Sequence, residues 1–228
     1  SVECQMRTYF AIRTDGTIWM QGYNSSRWFG TDTNVILSKW NKIPGQPDVK
    51  FKAIVKGTQL VGLTEGGMVY TLADGSNSWI KKSLPGAVER ILANDNGTYI
   101  AIINGLPVGW GQSRYLTGVT GIITGFRELA TDWNLTKPIR DIALNANAVH
   151  FIDADGRLFG MGDNTQGEVG DGRELVNRQE LYVGKQYVWN WISPLTKQYQ
   201  EIAFVPKPVH IRKDKVFTRL FGGGTYSY

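Results

Sequence analysis

A tight turn centred on glycine recurs along this chain, and that recurrence constrains the fold more than any other feature. The segment from Thr8 to Asn24 is an apolar run, an Asp15-Gly16 turn, then a second apolar run ending in Gly22-Tyr23-Asn24. The segment from His150 to Asn164 repeats it, with Asp155-Gly156 at the turn and Gly162-Asp163-Asn164 at the end. A third copy turns at Asn104-Gly105 and reaches Gly111, and a weaker fourth runs from Leu60 to Tyr70 around Gly66. In three copies the turn glycine precedes the next glycine by six positions (16 to 22, 105 to 111, 156 to 162). In two, the asparagine precedes a further glycine by six (Asn24 to Gly30, Asn164 to Gly170). The turn glycines at 16, 66, 105 and 156 are spaced 50, 39 and 51 residues apart.

The chemistry of one unit explains its pattern. Asp-Gly and Asn-Gly between apolar segments favour a tight hairpin of type I′, because both central residues then need positive φ. The flanking runs are rich in Ile, Val, Phe, Tyr and Trp, which suit a pleated surface. Another short strand is expected upstream of each later hairpin, at 49–55, 88–92 and 139–144. Each unit thus reads as three or four strands, and no long segment carries the helical period. A single small sheet cannot bury both its faces, so the units must stack, and radial blade packing is the expected solution.

The residues 155–172, Asp-Gly-Arg-Leu-Phe-Gly-Met-Gly-Asp-Asn-Thr-Gln-Gly-Glu-Val-Gly-Asp-Gly, closely resemble the signature of the regulator-of-chromosome-condensation (RCC) repeat family. That signature reads Asp-Gly-x-Leu-Tyr-x-Trp-Gly-x-Asn-x-x-Gly-Gln-Leu-Gly-x-Gly. The match at 15–30 is good, with Trp28-Phe29-Gly30 in place of Gln-Leu-Gly; 104–111 is partial and 65–70 degenerate. The resemblance covers most of 1–172 and implies an all-β fold, a β-propeller that in this family usually has seven blades. Seven blades of about 50 residues need about 350, whereas 228 residues hold about four. We therefore expect residues 1–228 to form one incomplete propeller. Phe221–Tyr228 resembles the strand start at Arg7–Phe10, so the chain is expected to begin and end at nearly the same phase of the repeat. The missing blades are expected from further residues or from a second chain.

Composition narrows the function. Twelve per cent aromatic residues, with 8 Trp and 10 Tyr, exclude disorder as the dominant state. One cysteine, Cys4, makes no internal disulfide, and two histidines far apart leave little for metal or His-based catalysis. No apolar run approaches the roughly 20 residues of a membrane helix. The net charge of +5 is mild, and the basic stretch 210–215 reads as a solvated loop, so nucleic acid is not an expected partner. Asp153-x-Asp155-Gly156 superficially resembles a calcium loop but lacks the later ligands, and the turn already accounts for Asp155. Gly222-Gly223-Gly224 is not a phosphate loop. The turn and loop residues Asp15, Gly16, Gly66, Asn104, Gly105, Asp155, Gly156, Gly162, Asn164 and Gly170 are read as structural. His150 is read as a hydrogen-bonded strand residue. The Asn-x-Ser/Thr triplets at Asn24, Asn96 and Asn134 are near background.

The segment 176–215 does not fit the repeat and reads as an insertion rich in aromatic and basic residues. Tyr187, Trp189, Trp191, Tyr199, Arg212 and Lys213 are its candidate binding residues, since Tyr, Trp and Arg dominate binding hot spots. The overall expectation is a non-enzymatic interaction or structural module with no catalytic residues, metal or cofactor. Its expected partners are other protein chains or the rest of its own propeller. Its Asn/Gly/Thr/Trp-rich texture suits a large assembly such as a phage tail or fibre, or a bacterial surface protein, so a virion or cell-surface location is preferred to a cytoplasmic one. Two alternatives stand beside it: an exchange factor for a small GTPase, implied by the family resemblance, and a carbohydrate-binding propeller.

Overall fold

The computed structural model describes residues 2–5, 8–29, 35–165, 167–170 and 203–221. Their strands form four antiparallel sheets, each a four-stranded meander. The first contains β1 (Val2–Gln5), β2 (Thr8–Ile12), β3 (Ile18–Tyr23) and β4 (Ile36–Lys42). The second contains β5 (Phe51–Lys56), β6 (Gln59–Thr64), β7 (Val69–Ala73) and β8 (Ile80–Lys82). The third contains β9 (Arg90–Ala93), β10 (Thr98–Ile103), β11 (Leu106–Gln112) and β12 (Ile122–Glu128). The fourth contains β13 (Ile139–Leu144), β14 (Ala148–Asp153), β15 (Leu158–Asp163) and β16 (Phe204–Ile211). A one-turn α-helix, α1 (Arg114–Thr117), follows β11.

Each sheet centres on one of the glycine hairpins, but the turn type is not uniform. Asn104 and Gly105 both have positive φ, 51° and 71°, as a two-residue type I′ turn requires. The other three turns are one residue longer, and only the last residue is left-handed: Gly16 (φ 82°), Gly67 (φ 77°) and Gly156 (φ 80°). Their N–H groups donate to Arg13, Thr64 and Asp153 carbonyls at 2.9, 3.0 and 2.9 Å. This corrects two expectations. Type I′ holds at one hairpin, and the left-handed glycine of the second is Gly67, not Gly66. A type I turn closed by a left-handed glycine needs one positive φ instead of two, so aspartate can precede that glycine unstrained. Asp15 sits there with its carboxylate accepting from the Thr17 N–H (2.9 Å) and hydroxyl (2.6 Å).

The glycines six positions on mark a second device. At Gly22, Gly111 and Gly162 the pairing with the fourth strand slips, and all three have positive φ (107°, 83° and 121°). These are β-bulges, which add local twist where the outer strand joins. In the second sheet Ala73 occupies the equivalent place, and β7 pairs with β8 without a slip.

Contacts divide the chain into two units, Ser1–Gln112 with Ile122–Glu128, and Ser113–Gly121 with Leu129–Tyr228. In the first unit the sheets stack face to face. Phe10, Ile18 and Met20 of the first sheet pack with Phe51, Ile54, Leu60 and Leu72 of the second. The second sheet turns its other face, Val61, Leu63 and Val69, to Tyr99, Ala101, Val108 and Trp110 of the third. Being covered on both faces is why β6 is apolar nearly throughout. Each such buried side chain contributes about 1.5–3 kcal/mol. A recurrent backbone bond ties each sheet to the start of the next: Phe51 N–H donates to Gly16 O (3.0 Å) and Val88 N–H to Gly67 O (2.9 Å).

In the second unit a ladder of rings crosses the fourth sheet. Trp133 stacks on Phe151 (5.4 Å), Phe151 on Phe159 (5.0 Å) and Phe159 on His210 (5.2 Å). The Trp133 indole N–H donates to the Leu116 carbonyl at 2.7 Å, anchoring α1. A like backbone bond forms here, from Phe217 N–H, which lies in no strand, to Gly156 O at 2.8 Å. Residues 217–220 also repeat the apolar spacing that opens the other sheets: Phe217-x-x-Leu220 beside Phe51-x-x-Ile54, Val88-x-x-Ile91 and Ile139-x-x-Ile142. The segment 176–215 is not wholly an insertion. Residues 204–211 form the fourth strand, paired with β15 from Leu158↔Ile211 to Asp163↔Phe204. The extra length therefore lies in the connection between third and fourth strands.

Candidate functional site

The side chains that the repeat makes most recognisable hold its loops. Asn24 and Asn164 are buried, and their side-chain carbonyls accept from Phe29 N–H and Val169 N–H, both at 3.1 Å. Asn24 is thus an internal loop support despite its Asn-x-Ser triplet. Gly170 (φ 71°) ends the second of these loops, its N–H donating to Gly167 O at 3.0 Å. The calcium-like Asp153 is also engaged. One oxygen accepts from the backbone N–H of Asp155 (3.0 Å) and Arg157 (2.9 Å), and the other from Arg157 Nε (2.7 Å). Burial alone would raise its pKa, but these bonds and the guanidinium hold it below the ordinary value. Asp163 is gripped by Arg114 (3.0 Å) and Tyr115 (3.3 Å), and burial pushes its pKa up.

His150 is a strand residue whose Nε2 lies 3.2 Å from the Val169 carbonyl. Burial lowers its pKa from 6.5, partly offset by that carbonyl. A depressed folded pKa means the neutral ring belongs to the folded state. Its contribution is complete above pH 6.5 and is lost as pH falls through the folded pKa. The wild type should therefore lose thermal stability as pH falls below 6.5, and His150→Gln should flatten that limb of the Tm-against-pH curve.

Of the expected binding residues, Tyr187, Trp189, Trp191 and Tyr199 lie outside the described residues. Arg212 and Lys213 follow β16 and are both exposed; Arg212 has φ 49° and pairs with Asp214 at 3.2 Å.

The structure adds a surface that sequence reasoning missed. The first sheet has two faces. Phe10 (1% exposed), Ile18 and Met20 point to the second sheet. On the opposite face, Tyr9 (47% exposed), Trp19, Tyr23, Ile36 (58%) and Trp40 (41%) lie in register across three strands: Tyr9↔Gln21, Trp19↔Lys42, Tyr23↔Ile36. The guanidinium of Arg13 sits 5.1 Å over the Trp19 ring. Aligned on strand register, one residue after the pairs Thr8↔Gly22, Gln59↔Ala73 and Thr98↔Gly111, Tyr9 matches Leu60 and Tyr99, which are 0% and 3% exposed because a neighbouring sheet covers them. The sequence signal was present: apolar residues on both sides of the alternation in β2 and β3 signify a sheet built to be covered twice.

No protein-family model and no curated protein matches the sequence. Solved structures do. Human WBSCR16 matches with TM-score 0.60 and 20% identity, over 77% of this chain and 49% of its own. Prp20p from Saccharomyces cerevisiae, studied for its binding to Gsp1p and histones, matches with TM-score 0.67 and 18% identity, over 95% of this chain and 52% of its own. Yeast RCC1 (Prp20) solved bound to Kap60 matches with TM-score 0.69 and 17% identity, over 98% and 52%. The chain spans about half the length of these structures. It has the fold of a partial RCC1-like β-propeller, whose described residues form four blades of four antiparallel strands.

Proposed function

We propose that this chain is a non-enzymatic protein-binding module, and that the open face of its first blade receives a blade-like sheet face of another protein chain. One observation carries the reading: Tyr9 is 47% exposed where its counterparts Leu60 and Tyr99 are packed against the adjoining blade. Aromatic side chains on a rigid sheet give large contact area at small entropic cost, and such residues dominate interface energetics. The setting we propose is a large assembly of the phage tail, fibre or bacterial surface kind.

The test is photo-cross-linking from position 40 in the complex purified from its native source, with Tyr9→Glu and Ile36→Glu as companions. A cross-link to a β-sheet face of a second polypeptide, lost together with the complex in both variants while circular dichroism is unchanged, is expected. A native mass of 25.5 kDa with no second polypeptide overturns the proposal. So does capture of a polysaccharide instead.

A further inference from the structure

The hairpin end of the fourth blade carries an excess of positive charge that its own acids do not neutralise. Three connections converge there: the approach to β13 (137–138), the hairpin 153–157, and the turn after β16. The pairings Ile139↔Asp153 and Leu158↔Ile211 bring them side by side, and Phe217 N–H bonded to Gly156 O adds the segment that follows. The acids at this end are all engaged, Asp141 by the Leu220 N–H at 2.7 Å. Asp153 is held by Arg157; Asp155 pairs with Lys137 at 3.8 Å and Arg157 at 3.6 Å. Asp214 pairs with Arg212 at 3.2 Å and Lys215 at 3.9 Å. Arg140, Lys213 and Arg219 are exposed and have no ion pair among the described residues. Val216, 75% exposed, sits among them beside Gly156.

We infer that this end of the fourth blade binds an acidic peptide segment of a partner protein, with an apolar side chain of that segment seated on Val216. The three uncompensated cations come from β13 (Arg140), the turn after β16 (Lys213) and the segment beyond it (Arg219), so they form a scattered cluster around an apolar point, not a stripe. A nucleic-acid backbone, with its closely and evenly spaced phosphates, calls for a stripe of cations and stacking aromatics. The exposed carboxylates of Asp155 and Asp214 between the cations repel such a polymer, whereas a short peptide can place its acids to avoid them. The site extends the protein-binding reading to a second surface and does not use the open face of the first blade.

Fluorescence anisotropy on the whole chain tests this with three labelled probes: a peptide of about twelve Asp and Glu residues with one central Leu, the same peptide with the Leu replaced by Glu, and a twelve-nucleotide oligothymidylate. The Leu-containing peptide should bind most tightly and weaken with rising salt. Arg140→Glu, Lys213→Glu and Arg219→Glu together should weaken it at least about tenfold, and Lys39→Glu with Lys42→Glu, on β4, should leave it within about twofold. Lys213→Glu alone, at a fully solvated turn, should give a smaller loss in the same direction if the triple variant unfolds. Absence of peptide binding, tighter binding of the oligonucleotide, or an equal loss in the β4 control overturns the inference. Cross-linking from position 40 is indifferent to all three outcomes, so this site and the first-blade face fail independently.

Discussion

Gly111→Ala is expected to lower the unfolding free energy by at least about 3 kcal/mol, enough to unfold a marginally stable chain. Gly111 stands at the bulge where β11 meets β12, with φ 83°, a conformation that costs an L-residue about 1–2 kcal/mol. A Cβ there would also overlap the Gly97 carbonyl oxygen. That oxygen cannot simply retreat, because it accepts the Gln112 N–H at 3.0 Å. The backbone must move instead, and the register of β12 moves with it. Gly66→Ala and Gly125→Ala are the controls. Neither glycine has positive φ, and a Cβ at either meets nothing within 4 Å. Gly66→Ala should be neutral or stabilising by up to about 1 kcal/mol, since it removes freedom from the unfolded chain. Urea unfolding measures all three. If Gly111→Ala falls within about 1 kcal/mol of wild type, the bulge is not what the repeat glycine is for.

Phe10→Ala should cost about 3–5 kcal/mol, while Tyr9→Ala, one residue away, should cost less than about 1. The two side chains leave opposite faces of β2. Phe10 is 1% exposed between the first and second blades, with its ring centroid 5.9 Å from that of Trp28. Truncating it leaves a cavity bounded by Ile18, Met20, Leu60 and Leu72, all fully buried and unable to collapse inward cheaply. Tyr9 loses only partial contact with its own sheet. The assays should therefore separate: Phe10→Ala shifts the thermal midpoint, and Tyr9→Ala shifts affinity for the partner chain. A large stability loss in Tyr9→Ala would mean that its face is covered within the isolated chain, which contradicts the proposed docking surface.

Part of this was legible before any coordinates. The Asp-Gly and Asn-Gly pairs located three of the four hairpins and the Gly66-Gly67 pair the other, and the resemblance at 155–172 pointed to the right fold. Gly66 was misplaced because two adjacent glycines satisfy the same pattern; the choice of Gly67 depends on a one-residue difference in loop length. Residues 204–211 were read as insertion because a fourth strand needs only an edge to pair with, and its sequence carries no turn glycine to mark it. Arg212 and Lys213 were singled out as candidate binding residues, and Arg212 also pairs with Asp214. Arg140 and Arg219, more than 70 positions apart in sequence, drew no attention.

Local chemistry determined where the backbone reverses, because a left-handed residue is a property of a few neighbouring atoms and glycine advertises it. It also determined that each sheet has two apolar faces, through residues on both sides of the strand alternation. Only the tertiary structure decided which of those faces meets a neighbour. Tyr9 and Leu60 occupy the same place in the same repeat, and whether either is buried depends on a sheet that the residue itself does not encode.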